Sequence, residues 1–527
     1  MHFSLNGGFR KTIRNYGAEM GLKVTTPLQA VLITLVIVVF GACWDEPKAE
    51  VSKVKSARDI HYNTIVIDTH NNSLGNVINQ YWLPENDIGN RFVFNQLDLV
   101  KMREGGLDVA FFAAFTDDNP IDGLANSRIL SLLNALYWLE ERNPETFGIA
   151  KTPKEMLDLY KSGKLAGVPA IEGGYSLKSH NALELLRQYH DLGAAYMGLC
   201  WHVSNALGEG VYERYWDYTP SSGGLTALGL SVVKEMNRLG IAVDISHMNE
   251  RTFWDVVEAA KAPIIASHSG TWGVYEHARN LKDEQMKAIA ESGGVVHMVF
   301  YTGYLGPTGK QGLESIIDMI DYSVKLIGVD HVGLGSDFDG GSVPVDLVNA
   351  MHYYKITEEL VKRGFSEEDI EKILGKNTLR VFGAIQDLAE APVIGGEPVV
   401  IIAGIGMGDI LDNPTPLLKA KAHGNQIDFS RFRIIVDGIA YNPEYSAESG
   451  QIHLSIKEPL RDNFHVVTFE GANTSGQITR VTKIFYIASQ LQGRNESYHA
   501  RAPNGTNLSA KGNGRVTYKG IRHNILL

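Results

Sequence analysis

From about residue 60 to 385 the chain alternates two hydrophobic patterns. Short, continuously apolar and β-branched runs occur at Thr64–Asp68, Asp108–Ala113, Gly167–Ile171, Ala195–Leu199, Ile241–Ile245, Pro263–Ala266, Gly294–Phe300 and His331–Gly335. Between them lie stretches with helical spacing, among them Ser127–Glu140, Ala182–His190, Leu225–Leu239, Glu250–Ala260, Asp283–Ser292 and Leu313–Ile327. Gly240 and Gly328 stand where helix C-caps are expected. Strands that are apolar on both faces and separated by helices predict a closed parallel sheet, an α/β fold of the (β/α)8 TIM-type barrel class. After Phe382 the texture changes to Gly, Asn, Ser and Thr with brief β-like runs at Val399–Ala403, Arg433–Asp437, Gln451–Ile456, His465–Phe469 and Thr479–Ile487. These predict a small additional C-terminal β-rich domain, sandwich-like, with a loosely ordered polar tail at Gly493–Gly514.

Length supports that division. The 527 residues exceed one ordinary domain, and a barrel with a smaller partner fits the usual sizes. The segments expected are an export segment at 1–43, a tether at 44–59, the barrel at 60–388 and the β-rich domain at 392–527. A net charge of −11 argues against a nucleic-acid partner. Only Cys43 and Cys200 are present, which excludes a disulfide framework and a Cys₄ zinc site. At the amino terminus Arg10, Lys11, Arg14 and Lys23 flank an apolar run from Leu28 to Ala42, the pattern of a signal sequence. The run ends Phe40-Gly41-Ala42-Cys43, which resembles the lipobox of bacterial lipoproteins with Cys43 as the lipidated residue; an uncleaved signal anchor is the other reading. Either predicts an exported, membrane-anchored protein, periplasmic or at the cell surface.

The chemistry lies just past the strands. His70 and Asn72 follow the first run, Glu172 the third, Trp201 and His202 the fourth, His247 the fifth, His268 the sixth and Asp337 the eighth. In a (β/α)8 barrel these positions converge on the catalytic face. Imidazole and carboxylate are the usual zinc ligands, and one carboxylate, Glu172, is able to bridge two ions that together activate water and polarise a carbonyl. Taken singly, each residue also has a plainer reading: a histidine at a strand end is commonly structural, Arg279 is compatible with an ordinary surface role, and Asp337 or Asp339 with a helix N-cap.

The stretches Ile67-Asp68-Thr69-His70-Asn71-Asn72, Gly105 to Val109, Ala170 to Gly174, Gly224-Leu225-Thr226, Leu239 to His247, Ala266-Ser267-His268-Ser269, Ala278 to Leu281 and Asp330 to Gly340 together resemble the membrane (renal) dipeptidase family, a branch of the amidohydrolase-like metallohydrolases. The resemblance runs over about residues 60–385 and leaves out the C-terminal region. It implies an exported metallo-dipeptidase that splits dipeptides with metal-activated water, two zinc ions and a homodimer. Under it, His70 is a ligand of the first zinc, Glu172 the bridging carboxylate, and His247 and His268 ligands of the second zinc. Arg279 holds the substrate carboxylate, and Asp337 handles the substrate amine and proton transfer. Two positions depart from the family pattern. Asn72 stands where the family has a metal-binding Asp, and a neutral amide is the poorer ligand. A substrate-polarising histidine aligns with Trp201 without a gap, or with His202 after a one-residue shift, and chemistry favours His202. Asn72 with Trp201 motivates the alternative of a degenerate metal- or peptide-binding lipoprotein with little catalysis.

Overall fold

The structure, a computed structural model, describes residues 55–117, 123–214 and 219–489. The export segment with Cys43, the tether up to residue 54 and the tail Gly493–Gly514 lie outside the described residues. Within them no helix is long and apolar enough to cross a membrane, and Cys200 is a buried free thiol.

Eight parallel strands form the barrel wall: β1 (Ile67–Asn71), β2 (Val109–Phe115), β3 (Leu165–Glu172), β4 (Tyr196–Gly198), β5 (Ala242–Asp244), β6 (Ile265–Ser269), β7 (Val295–Met298) and β8 (Val332–Leu334). Each pairs with the next in chain order. Between β8 and β1 the seam is closed by the turn after β8, where Asp337 N donates to His70 O, Asn72 N to Phe338 O and Ser336 N to an Asp68 carboxylate oxygen. A helix follows each strand: α1 (Leu99–Gly105), α2 (Leu124–Arg142), α3 (Ala182–Asp191), α4 (Ala227–Leu239), α5 (Glu250–Ala259), α6 (Asp283–Glu291), α7 (Leu313–Ile327) and α8 (Asn377–Asp387). Thr226 caps α4 by accepting from Gly229 N, and Gly240 ends it at φ 78°, a left-handed conformation that favours glycine.

Period-two alternation explains why the strands are apolar throughout. On β2, Val109 and Phe111 point into the barrel with Val168 and Ala170, whereas Ala110, Phe112 and Ala114 face the helices. Phe382 of α8 lies 4.9 Å from Phe111, ring to ring, and helps fill the interior. Polar side chains then collect at the C-terminal strand ends.

Two antiparallel layers make up the C-terminal sheets. One has the order β9 (Val400–Ala403), β11 (Leu417–His423), β15 (Gln451–Ser455), β14 (Glu444–Ser446). The other runs β10 (Asp409–Leu411), β17 (Ile478–Ile487), β16 (Asn463–Asn473), β12 (Ile427–Val436), β13 (Ile439–Tyr441), with β10 parallel to β17. Leu418, Ala420 and Ile452 meet Phe432, Ile434, Val467 and Phe469 between the layers. Strand β16 is buried along nearly its whole length because its other face, including Phe464 and Val466, joins the apolar cluster that surrounds the barrel.

One buried histidine makes stability depend on acid. His61 Nε2 donates to Gly105 O at 2.8 Å, and its Nδ1 accepts from the Thr357 hydroxyl at 2.8 Å. Burial pushes its pKa down to about 4, while the unfolded chain takes the proton near the ordinary value of about 6.5. His61 therefore contributes fully above pH 6.5, and its contribution is lost as pH falls toward 4. His61→Gln, which keeps a donor for Gly105 O, should close its stability gap to the wild type by about 2 kcal/mol between pH 7 and pH 4.5 in urea unfolding. A gap independent of pH would contradict this.

Candidate metal centre

Glu172 ends β3 and is buried. Around its carboxylate stand three imidazoles, His70 on β1, His268 on β6 and His247 in the turn after β5. His247 Nε2 lies 3.0 Å from Oε1, His268 Nε2 3.7 Å from Oε1 and His70 Nε2 3.3 Å from Oε2. Ligand atoms of His70, Glu172 and His268 all lie within 4.8 Å of one another. The chain must turn sharply after Glu172: Gly173 has φ 94°, and a Cβ there would sit 2.4 Å from Thr116 O.

Hydrogen bonding fixes which nitrogens are free. The Tyr196 hydroxyl donates to Thr69 O, so the 2.7 Å contact with His70 Nδ1 is an Nδ1–H donating to the tyrosine oxygen. The His70 Nε2 lone pair then faces Glu172, and that buried atom has no hydrogen-bond partner among the described residues. Ser267 Oγ donates to Asp244 Oδ2 at 2.6 Å, so His268 Nδ1 donates to Ser267 Oγ and its Nε2 is likewise a lone pair. His247 Nε2 lies 2.8 Å from His268 Nε2. Buried lone pairs converging on one carboxylate suit a cation, and outer hydrogen bonds of this kind hold ligating histidines in metal sites. The donor set therefore fits a divalent metal.

Electrostatics agree for two of the three imidazoles. Burial, with Arg279 close by, depresses His247 well below the usual imidazole range, and burial with His70 and Arg279 does the same to His268. His70 differs: burial opposes its charge, but Glu172, Asp337 and Asp244 together outweigh this and raise its pKa, so in the absence of a cation a proton facing Glu172 is favoured. The Asp337 carboxyl is pushed up to about 7 by burial, against the pull of His70. Its Oδ1 lies 3.8 Å from His70 Nε2. His247, Asp337 and Asp339 have φ 71°, 62° and 63°. Such strain costs of order 1–3 kcal/mol each and concentrates at functional sites.

The remaining sequence candidates fall around this centre. Asn72 does not face away: its Nδ2 donates to Glu172 Oε2 at 2.9 Å. Arg279 is buried, donates to His268 O at 3.2 Å and lies 5.2 Å from the Tyr304 ring centroid. His202 has its ring 4.8 Å from that of His247 and its Nε2 3.3 Å from the Tyr304 hydroxyl. Trp201 stands further off, 6.0 Å from His247, and packs edge-on against Phe115 at 5.0 Å. Asp339 is not a helix cap; it accepts from Ser73 Oγ, Gln96 N and Leu97 N and staples two loops. Asp244, Ser267 and Tyr196, which orient the imidazoles, were not singled out from sequence. An acid inside the otherwise apolar strand β5 and a serine next to His268 were the available signals. Tyr304 and His277, whose rings are 4.8 Å apart beside Arg279, carried no pattern that marks them.

Comparison with known proteins matches this layout. A "Dipeptidase verJ" from Clonostachys rogersoniana is 32% identical over 309 residues, 55% of this chain and 76% of that protein. The crystal structure of the probable dipeptidase PvdM from Pseudomonas aeruginosa superposes with TM-score 0.57 at 27% identity, covering 63% of this chain and 98% of that one. A metallo peptidase from Rhodobacter sphaeroides, solved with a phosphinate mimic of the dipeptide L-Ala-D-Ala, superposes with TM-score 0.56 at 28% identity, covering 61% and 99%. The model of the membrane dipeptidase family (peptidase family M19) matches residues 54–392. This chain belongs to that family of metal-dependent hydrolases acting on peptide bonds.

Proposed function

We propose that the chain is an exported zinc-dependent dipeptidase. The observation that carries this is the convergence of His70, His247 and His268 nitrogens on the buried Glu172 carboxylate. The dipeptide mimic bound by the Rhodobacter sphaeroides relative supports a dipeptide as substrate class. Export and anchoring through Cys43 rest on the amino-terminal sequence alone.

In this reading Glu172, His247 and His268 would hold one zinc ion, and His70 with Asn72 would line a second position; bound zinc would supply a Lewis acid for the scissile carbonyl and lower the pKa of water. The protein does the rest. Arg279, fixed by His268 O, presents a cation to the substrate's terminal carboxylate. His202 is neutral because burial, and then Arg279, depress its pKa; it offers a hydrogen bond to the substrate carbonyl oxygen. Asp337 Oδ1, at a pKa of about 7, takes the proton released by water and passes it to the departing amine nitrogen.

A panel of dipeptides and their C-terminal amides tests this. Purified protein with zinc should release free amino acids, a chelator should stop it, and amides should be cleaved about 100-fold more slowly because Arg279 loses its partner. No release from any dipeptide would end the reading. One observation favours a second one: Asn72 spends its amide on Glu172 rather than offering a charged ligand, which suits a weakly active metal- and peptide-binding protein.

A further inference from the structure

Asp437 and Gly438 join β12 to β13 as a two-residue turn with φ 48° and 80°, as Asp-Gly hairpin turns require. The tip is pressed against the barrel. A Cβ on Gly438 would sit 2.6 Å from Asn181 O, so no larger residue fits. Gly438 N donates to Gln188 Oε1 at 2.7 Å. Asp437 Oδ1 accepts from Asn126 Nδ2 at 2.9 Å and Val466 N at 3.0 Å, and its Oδ2 pairs with His465 Nδ1 at 2.5 Å.

From Asp437 a buried chain of hydrogen bonds leads toward the metal centre. Tyr189 Oη contacts Asn126 Oδ1 at 2.8 Å and Ser176 Oγ at 2.9 Å. Ser176 lies on the loop that starts at Glu172. Its neighbour Tyr175 clamps both sides of His202, accepting from Trp201 N at 3.1 Å and donating to Val203 O. A polar chain buried across two units is costly unless every member is satisfied, and here it ends on the segment that aims His202.

We propose that the Asp437–Gly438 tip is a positioning element of the dipeptidase site, setting the Tyr175 clamp and through it the Trp201–His202 wall. The C-terminal sheets are then part of the working enzyme rather than an appendage. This rests on the dipeptidase reading only for its activity arm.

Asp437→Asn removes the charge that holds His465, and Tyr189→Phe cuts the chain at its middle while keeping the ring. Arg433→Gln is the control: it lies in the same interface, on Glu184 and Glu470, away from the clamp. In the full chain, amide exchange over residues 175–181 and 201–205 should rise about tenfold in the first two variants. Their kcat should fall severalfold with metal content unchanged, since the wall that carries His202 moves and Glu172 does not. The control should lower the melting temperature without either effect. Unchanged exchange in Tyr189→Phe, or equal loosening in Arg433→Gln, would overturn the proposal. If the wild type cleaves no dipeptide, the dipeptidase reading fails while exchange still decides the coupling.

Discussion

Glu172→Gln is expected to remove metal-dependent cleavage, with kcat/KM falling by about 10³ or more. That corresponds to at least ~4 kcal/mol of lost transition-state stabilisation, within what a metal centre supplies. Glutamine has the same shape, so the effect isolates charge. Glu172 Oε2 accepts from Asn72 Nδ2 at 2.9 Å, while Oε1 lies 3.0 Å from His247 Nε2. In glutamine one of these two termini becomes an NH₂. It then either meets the Asn72 amide donor head-on or points its hydrogens where a cation would sit. Elemental analysis should show metal loss alongside the activity loss. Retained metal with activity within tenfold of wild type would show that Glu172 is not the centre of the site.

How much of this was legible depends on which physical signal each part emits. All eight barrel strands and the six quoted helices could be read, because burial on both faces leaves uninterrupted apolar runs and helix ends leave caps such as Gly240. The C-terminal sheets were only partly legible. Strand β11 reads Leu-Leu-Lys-Ala-Lys-Ala-His, with one face in solvent, so its charged alternation hides it. Strands β10, β13 and β14 are three residues each and too short to show a period. Among site residues, the histidines and Glu172 declared themselves by recurring at strand ends. The orienting residues Asp244, Ser267 and Tyr196 did not, since their role exists only once β5 lies beside β6 and β4 faces β1. The difference between Trp201 and His202 was likewise a matter of direction: the structure turns His202 toward His247 and Tyr304 and sends Trp201 against Phe115.

Asn72→Asp is the second large effect expected, and it acts on metal content first. In the wild type the Asn72 amide donates to Glu172 and the nearby Asp337 carboxyl is held up at about 7 by burial. The wild type should therefore carry about one zinc per chain, on Glu172, His247 and His268, with the position beside His70 weak. The Asp variant adds a second carboxylate within hydrogen-bond distance of the first. Without metal, two such charges repel by on the order of 4 kcal/mol at the dielectric of a protein site, enough to keep one protonated. The metal-free variant should thus melt lower than the metal-free wild type and gain more on zinc addition. Elemental analysis should move from about one ion toward two, with affinity for the weaker ion rising about 10- to 100-fold. Dipeptide cleavage should rise with occupancy of that second position. Should the wild type already hold two ions tightly, the amide oxygen of Asn72 must turn to the metal and give up its bond to Glu172. The asymmetry inferred from that bond would then be wrong, and the weakly active reading would lose the observation that favours it.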